Sequence, residues 1–186
     1  MAGFGLKTLR STGPDGYVGN QSEFPIAVNN TDPIYRGDLV RLASGVIIEA
    51  TGATNNDDFS PLGVFLGCRY QAADGSFEFK AFWDGGAGRS NIMAMVAIPD
   101  GATFLIKGAP NGTYTQANIG SRYGINYVAG STVYGDSRIR LGAAAQNSTG
   151  PLRLLRLVDA PYNAFDKDEP LFEVVFARSQ GYATLA

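Results

Sequence analysis

The sequence predicts an all-β fold: a single β-barrel or β-sandwich-like domain of about nine or ten short strands, with little helix. Three observations carry that reading. Short runs rich in Val, Ile, Leu, Phe and Tyr alternate with polar residues at a period of two. Gly, Pro, Asn and Asp return about every ten residues, the turn spacing of sandwiches and barrels. No stretch of about twelve residues or more keeps a 3.6-residue apolar period, so no long amphipathic helix is expected. The 186 residues fit one domain, and a domain of that size buries about 70 % of its unfolded surface. The 24 glycines are well above ordinary usage, and 17 % charged residues is thin, as a turn-rich β protein requires.

Taken in order, residues 1–22 mix Gly, Ser, Thr, Pro and Asp with isolated Phe4, Leu6, Leu9, Tyr17 and Val18. Neither period is present, so the segment reads as an extended N-terminal arm ahead of a β-rich domain spanning 23–186. Phe24 to Val28 is the first expected strand. "NNTDP" follows as a turn, because Asn and Asp bond their own backbone and Pro33 stops pairing. Asp38 to Ala43 and Val46 to Ala50 read as a hairpin about Ser44-Gly45. "PLGVFLGCRYQ" and "SFEFKAFW" flank "AADG", whose Asp74-Gly75 is the strongest turn signal in the chain. In the second of these runs Phe77, Phe79 and Ala81 alternate with Glu78, Lys80 and Phe82, one apolar face and one mixed. "NIMAMVAI" and "TFLIKG" are separated by Pro99-Asp100-Gly101. Thr115 is placed to cap a single helical turn before Gly120, and Ile125 to Val128 to return as a strand. "SRIRLG", "PLRLLRLVDA" and "PLFEVVFARS" complete the set, with Leu155 breaking alternation as a bulge or a doubly covered strand would.

Composition removes several function classes. The formal charge of -2 comes from 17 acidic and 15 basic residues, scattered with no basic run to follow a phosphate backbone, so nucleic acid is not an expected partner. Without histidine there is no Ser-His or Cys-His nucleophile and none of the commonest metal ligand. Cys68 is the only cysteine; it reads as a small buried residue, and no intrachain disulfide or multi-thiolate zinc site is possible. No apolar run reaches signal-peptide or membrane-span length, so a chain made and first kept in a cytoplasm is expected, with no membrane partner. The sequons at Asn20, Asn29, Asn111 and Asn147 then read as polar turns.

Two features invite chemistry. Asp57 and Asp58, and Asp166, Asp168 and Glu169, are carboxylate clusters in proline-bounded loops. A glycosidase draws an acid and a base from such groups when they stand about 5 to 10 Å apart, but solvated loop acids have the same sequence, and no calcium-loop spacing is present. "DGGAGRSN", residues 84–91, looks like a phosphate cradle. A Walker loop ending at Gly88 needs glycine where Trp83 stands and lysine where Arg89 stands; a dinucleotide fingerprint from Gly86 meets Asn91 at its third small position, with no long helix behind it. The loop reads instead as a mobile tip between strands, with Arg89 as an available donor. Most of the 11 phenylalanines alternate within strands as core residues do. Tyr114, Tyr123, Tyr127 and Tyr134 recur in a polar, Gly-rich region and read as an exposed ring set, either for stacking on sugars or for a subunit interface.

The order "IYRGDLVRLASGVI", "PLGVFLGCRY", "IPDGATFLIKG", "ANIGSRYGINY", "LRLLRLVDAP" and "PLFEVVFAR" resembles the head decoration, or cement, proteins of short-tailed bacteriophages, particularly marine and cyanobacterial ones, over roughly residues 24 to 178. The resemblance implies a β-rich homotrimer on the outer capsid surface, clamping neighbouring copies of the major capsid protein after shell expansion. It implies no enzyme activity, cofactor, metal or small-molecule substrate, and it transfers no site residues by motif. The expected capsid or subunit contacts are therefore inferred from sequence character: Phe4, Leu6, Leu9, Arg10 and Tyr17 on the arm, Arg89 at the loop tip, and Tyr114, Tyr123 and Tyr127. A carbohydrate-binding β-sandwich on a virion surface or tail fibre is the alternative that uses the same tyrosines.

Overall fold

The strand-length apolar runs assemble into two antiparallel sheets in the computed structural model, which describes residues 4–11, 21–50, 59–145 and 149–180. The first sheet runs in the order β1 (Lys7–Ser11), β8 (Ala102–Lys107), β13 (Leu171–Phe176), β12 (Leu152–Leu157) and β9 (Arg122–Tyr123). The second runs β2 (Gln21–Pro25), β7 (Ser90–Ala97), β5 (Gly63–Gln71), β3 (Leu39–Ala43) and β4 (Val46–Glu49), with β6 (Phe77–Lys80) paired to the far half of β5. A two-stranded ribbon joins β10 (Ile125–Asn126) to β11 (Arg140–Leu141), and a 3-10 turn at Gln116–Asn118 is the only helical segment among the described residues.

Successive side chains of a strand point to opposite faces, and the second sheet uses both. Leu39, Val64 and Ala97 pack with Phe104, Ile106, Leu152, Leu154, Phe172 and Val174 of the first sheet in one buried cluster. Their neighbours Val40, Phe65 and Val96 face the other way into a second cluster, with Cys68, Tyr70, Ala94, Ile34, Ile47 and Trp83. Strands covered on both faces read as continuous apolar runs, which is why "PLGVFLGC" lacks strict alternation. The second sheet curls around its own cluster until Ile26, just past β2, makes a parallel bridge with Ile47 of β4. That bridge is not continued into a ladder, so the fold is sandwich-like and the barrel stays open.

Local turn chemistry sets the registers. Ser44 and Gly45 both have positive φ, 50° and 81°, the two-residue hairpin geometry whose twist matches its strands. In the β5–β6 hairpin the Ala72 N–H donates to the Ser76 carbonyl at 2.8 Å, and the Asp74 carboxylate accepts from the Ser76 N–H at 2.9 Å. The irregularity expected at Leu155 is a register shift between Leu154 and Arg156 on β13.

The N-terminal segment departs from the expected arm. Lys7–Ser11 is a strand of the first sheet, with Lys7 opposite Leu105 and Ser11 opposite Ala102, and Leu6 is 2 % exposed inside the main cluster. The physical reason is the edge of β8: its outward backbone groups and apolar face are completed by the chain's own first strand. β2 likewise begins at Gln21, inside the stretch assigned to the arm. Tyr17 lies outside the described residues. Leu6→Ala is expected to lower stability by about 2–5 kcal/mol, read as an earlier urea midpoint in the fluorescence of the single tryptophan, Trp83. An unchanged midpoint would show that β1 adds nothing to the fold.

Candidate interaction surface

Of the rings expected at the surface, Tyr114 and Tyr123 are core residues, 4 % and 0 % exposed. Their rings pack 5.7 Å apart, and Tyr114 meets Phe172 edge-on at 4.8 Å. The surrounding glycines, which made the region look solvated, are clearance for the two tyrosines: a Cβ on Gly112 would stand 2.2 Å from the Tyr114 ring, and one on Gly150 would stand 2.3 Å from the Tyr123 backbone. The Tyr114 hydroxyl accepts from the Ala109 N–H at 2.8 Å and donates to the Gly142 carbonyl at 2.8 Å. Sugar stacking therefore loses two of its three rings. Tyr114→Phe is expected to cost about 0.5–1.5 kcal/mol of stability, because the hydroxyl's bonds to the Ala109 N–H and the Gly142 carbonyl are lost while the Ala109 N–H keeps the Leu141 carbonyl at 3.1 Å; a denaturation midpoint equal to wild type would contradict this.

Arg89 is not an available donor at a mobile tip. Its guanidinium folds back 4.4 Å from the centroid of the Tyr70 ring and 5.3 Å from that of Trp83, and its Nη1 pairs with Asp84 Oδ1. Lys80 reaches the other oxygen of Asp84 at 2.8 Å, and the Gly86 N–H donates to Oδ1 at 3.2 Å. The Arg89 hydrogen bond, above all, holds the Asp84 carboxyl well below the usual carboxylate range. Gly86 is bare because a Cβ there would lie 2.6 Å from the guanidinium carbon. The loop is a plug over the end of the second core cluster. Cys68, fully buried beneath it, has its thiol pushed up to about 12, by burial first and then by the Asp84 charge.

The remaining sequence candidates are dispersed. Phe4 is half-buried with Lys7 Nζ 4.6 Å and Lys107 Nζ 5.9 Å from its ring centroid; Leu9 is exposed, and Arg10 lies in β1. Of the acidic clusters, Asp57 and Asp58 fall outside the described residues. Asp166 and Asp168 are exposed, while Glu169 is held by Arg140 and by Lys107 at 3.5 Å, a charge clamp and not an acid–base pair.

Tyr127 touches a buried carboxyl pair that sequence reading missed. Asp38, 1 % exposed, accepts from the Tyr35 N–H at 2.7 Å and is hydrogen-bonded to Ser137 and Glu49. Tyr127 donates to Glu49 Oε2 at 3.3 Å, and Oε1 of Glu49 is buried with no donor aimed at it. A hydrogen bond between the Asp38 and Glu49 carboxyls requires that one of them keep its proton. Burial raises Asp38, and burial followed by the Asp38 charge raises Glu49. The folded chain thus holds protons the unfolded chain has released, so the stability they carry is full below the ordinary carboxylate range and is lost as pH rises. The melting temperature is expected to fall from pH 4.5 towards about 8, and Glu49→Gln, whose amide donates to Asp38 at every pH, is expected to flatten that fall. Equal slopes in the two proteins would rule out the retained proton.

What the described surface does present is an aromatic and methionine strip on the outer face of the second sheet. Pairing aligns Phe79 with Arg69, Arg69 with Met93, and Met93 with Pro25 across four strands. Phe77, opposite Gln71, lies two residues along on the same face. Phe77 and Phe79 are 63 % and 68 % exposed, and Met93 and Met95 are half-buried beside them. Arg69 is anchored by Glu23, with donor–acceptor distances of 2.9 and 2.7 Å, so the one charged pair within the strip is internally neutralised. The alternation of Phe77 and Phe79 was legible in the sequence, but the core assignment that such alternation invites is wrong for these two. A second exposed group, Val133 and Tyr134, tips the loop before β11. The chain matches no protein-family model, no curated protein and no solved structure.

Proposed function

We propose that this chain is a decoration, or cement, protein of a short-tailed bacteriophage head. It binds the major capsid protein on the outer surface of the virion as a trimer and joins neighbouring capsomers. The observation that carries the reading is the strip of Phe77, Phe79, Met93 and Met95 on the outer face of a sheet that has a packed cluster on its other face. Exposed aromatic and methionine side chains around a neutralised Arg–Glu pair have the composition of a protein-binding patch. The segment order shared with cement proteins supports the same role. The role requires no catalysis, cofactor, metal or small-molecule substrate.

Binding free energy that exists only when capsomers stand in the mature arrangement adds to the stability of that arrangement. Several linked copies add avidity, since one docked subunit holds the next at high effective concentration. The strip is the shell-facing element in this scheme; the N-terminal segment contributes by building the first sheet. Purified expanded heads mixed with the protein are expected to bind it, and Phe77→Ala with Phe79→Ala to weaken binding by about tenfold or more, measured by co-sedimentation. Heads that stay bare with the wild type would sink the reading. Undiminished binding by the double variant would move the shell contact off the strip.

A further inference from the structure

We propose that β6 is the edge at which two copies of this chain join, their sheets continuing into each other across a two-fold axis. Among the described residues β6 is hydrogen-bonded to β5 alone. The Ala72 N–H to Ser76 carbonyl bond closes the hairpin, and the β5–β6 register is regular, with Tyr70 opposite Glu78 and Cys68 opposite Lys80. Hydrogen-bonded and non-bonded pairs alternate along an antiparallel ladder. Glu78 and Lys80 therefore spend their backbone groups on β5, while Phe77 and Phe79 aim their N–H and C=O groups away from it, at the open edge.

Edges that are meant to stay single are blunted by proline, bulges or solvent-facing lysine. β6 has no proline or bulge, and its one lysine is tied down to Asp84 at 2.8 Å. The strand is also self-complementary. An antiparallel pairing centred on Phe79 matches the outward backbone groups of Phe79 with those of the second copy. It sets Glu78 opposite Lys80 of the second copy and Lys80 opposite its Glu78, two opposite-charge pairs related by the two-fold. Of the other registers that match outward groups, those centred on Glu78 and on Lys80 set like charges against each other, and the one centred on Phe77 sets Glu78 opposite Ser76 and gives it no charge partner. Charge thus selects both the partner, a second copy, and the register. The joined sheets place two sets of Phe77 and Phe79 on one continuous face.

A four-residue edge buries less than a standard interface of about 1,600 Å², so the free protein is expected to dimerise weakly, and crowding on a surface favours the link. Where the chain also forms the trimer proposed above, the two-fold ties one trimer to the next; the link itself does not rest on that reading.

Sedimentation velocity of the full chain over a wide concentration range tests this. The wild type is expected to move from monomer to dimer as concentration rises. Glu78→Lys alone and Lys80→Glu alone are each expected to weaken association by about tenfold, and the double exchange to restore it, with thermal melts confirming that each variant is folded. Should a single exchange fail to fold, Phe79→Pro, which takes away the outward-facing N–H together with the exposed ring and leaves the bonds from Glu78 and Lys80 to β5 in place, is expected to abolish the dimer, while Phe79→Ala, which keeps that N–H, is expected to retain it. A wild type that is monomeric throughout overturns the proposal, as does a double variant no better than the singles, an oligomer indifferent to these changes, or an edge filled only by an extended segment of capsid protein. Dimerisation without head binding would leave this inference standing and remove the decoration role.

Discussion

The fold depends on how one buried carboxyl is satisfied. Asp38 sits where the lead into β1, the segment 34–38, β5 and the 135–139 loop converge. Its side chain accepts from the Tyr35 N–H, and its carbonyl accepts from the Phe65 N–H at 2.9 Å. Gly37 donates to the Phe65 carbonyl at 2.8 Å and accepts from the Leu6 N–H at 2.9 Å. Ser137 donates from its backbone to Arg36 at 2.9 Å, and Arg36 pairs with Asp136. Nothing larger than glycine fits at the crossing: a Cβ on Gly5 would lie 2.5 Å from the Gly37 carbonyl oxygen, and one on Gly37 would lie 2.6 Å from the Phe4 carbonyl oxygen. A charge so deeply buried is expensive unless it is hydrogen-bonded or protonated. The segments that surround Asp38 supply those bonds, and in doing so they fix how β1 enters the first sheet against the second.

Much of the strand set was legible because it rests on local chemistry. The hairpins at Ser44-Gly45 and Asp74-Gly75, the Pro99-Asp100-Gly101 break and the disruption at Leu155 are all written within a few residues of where they act. β1 was not legible, since its partner β8 lies about half the chain away in sequence, and a single buried leucine in a Gly-rich stretch has no period. Tyr114 and Tyr123 were misplaced for a related reason. Glycine beside tyrosine has one spelling whether it makes a turn or clears room for a neighbour; Gly112 clears the Tyr114 ring and Gly150 the Tyr123 backbone.

The glycine loop shows the same ambiguity at a polar site. Its glycines do permit unusual backbone, with φ of 72° at Gly85 and 76° at Gly88. The outcome is closure and not mobility, because Arg89 has three partners within reach that sequence cannot supply: Asp84, Tyr70 and Trp83. Cation–ring stacking and a charge-assisted hydrogen bond act together on one half-buried guanidinium.

That plug also explains why phenylalanine faces solvent on β6. Tyr70 donates to Glu78 at 2.6 Å, and Lys80 bonds Asp84 at 2.8 Å, so both polar residues of the strand find their partners on the face that carries Tyr70. With a side-chain period of two, that choice forces Phe77 and Phe79 outward. Turning the strand over would bury two rings but take Lys80 from Asp84 and separate Glu78 from Tyr70. Full burial of a phenylalanine is worth about 1.5–3 kcal/mol, so the exposed pair is a standing free-energy reserve. A solvent-facing pair of this size is released only by a surface that covers it, and the strand that carries it is the one whose backbone edge is also open.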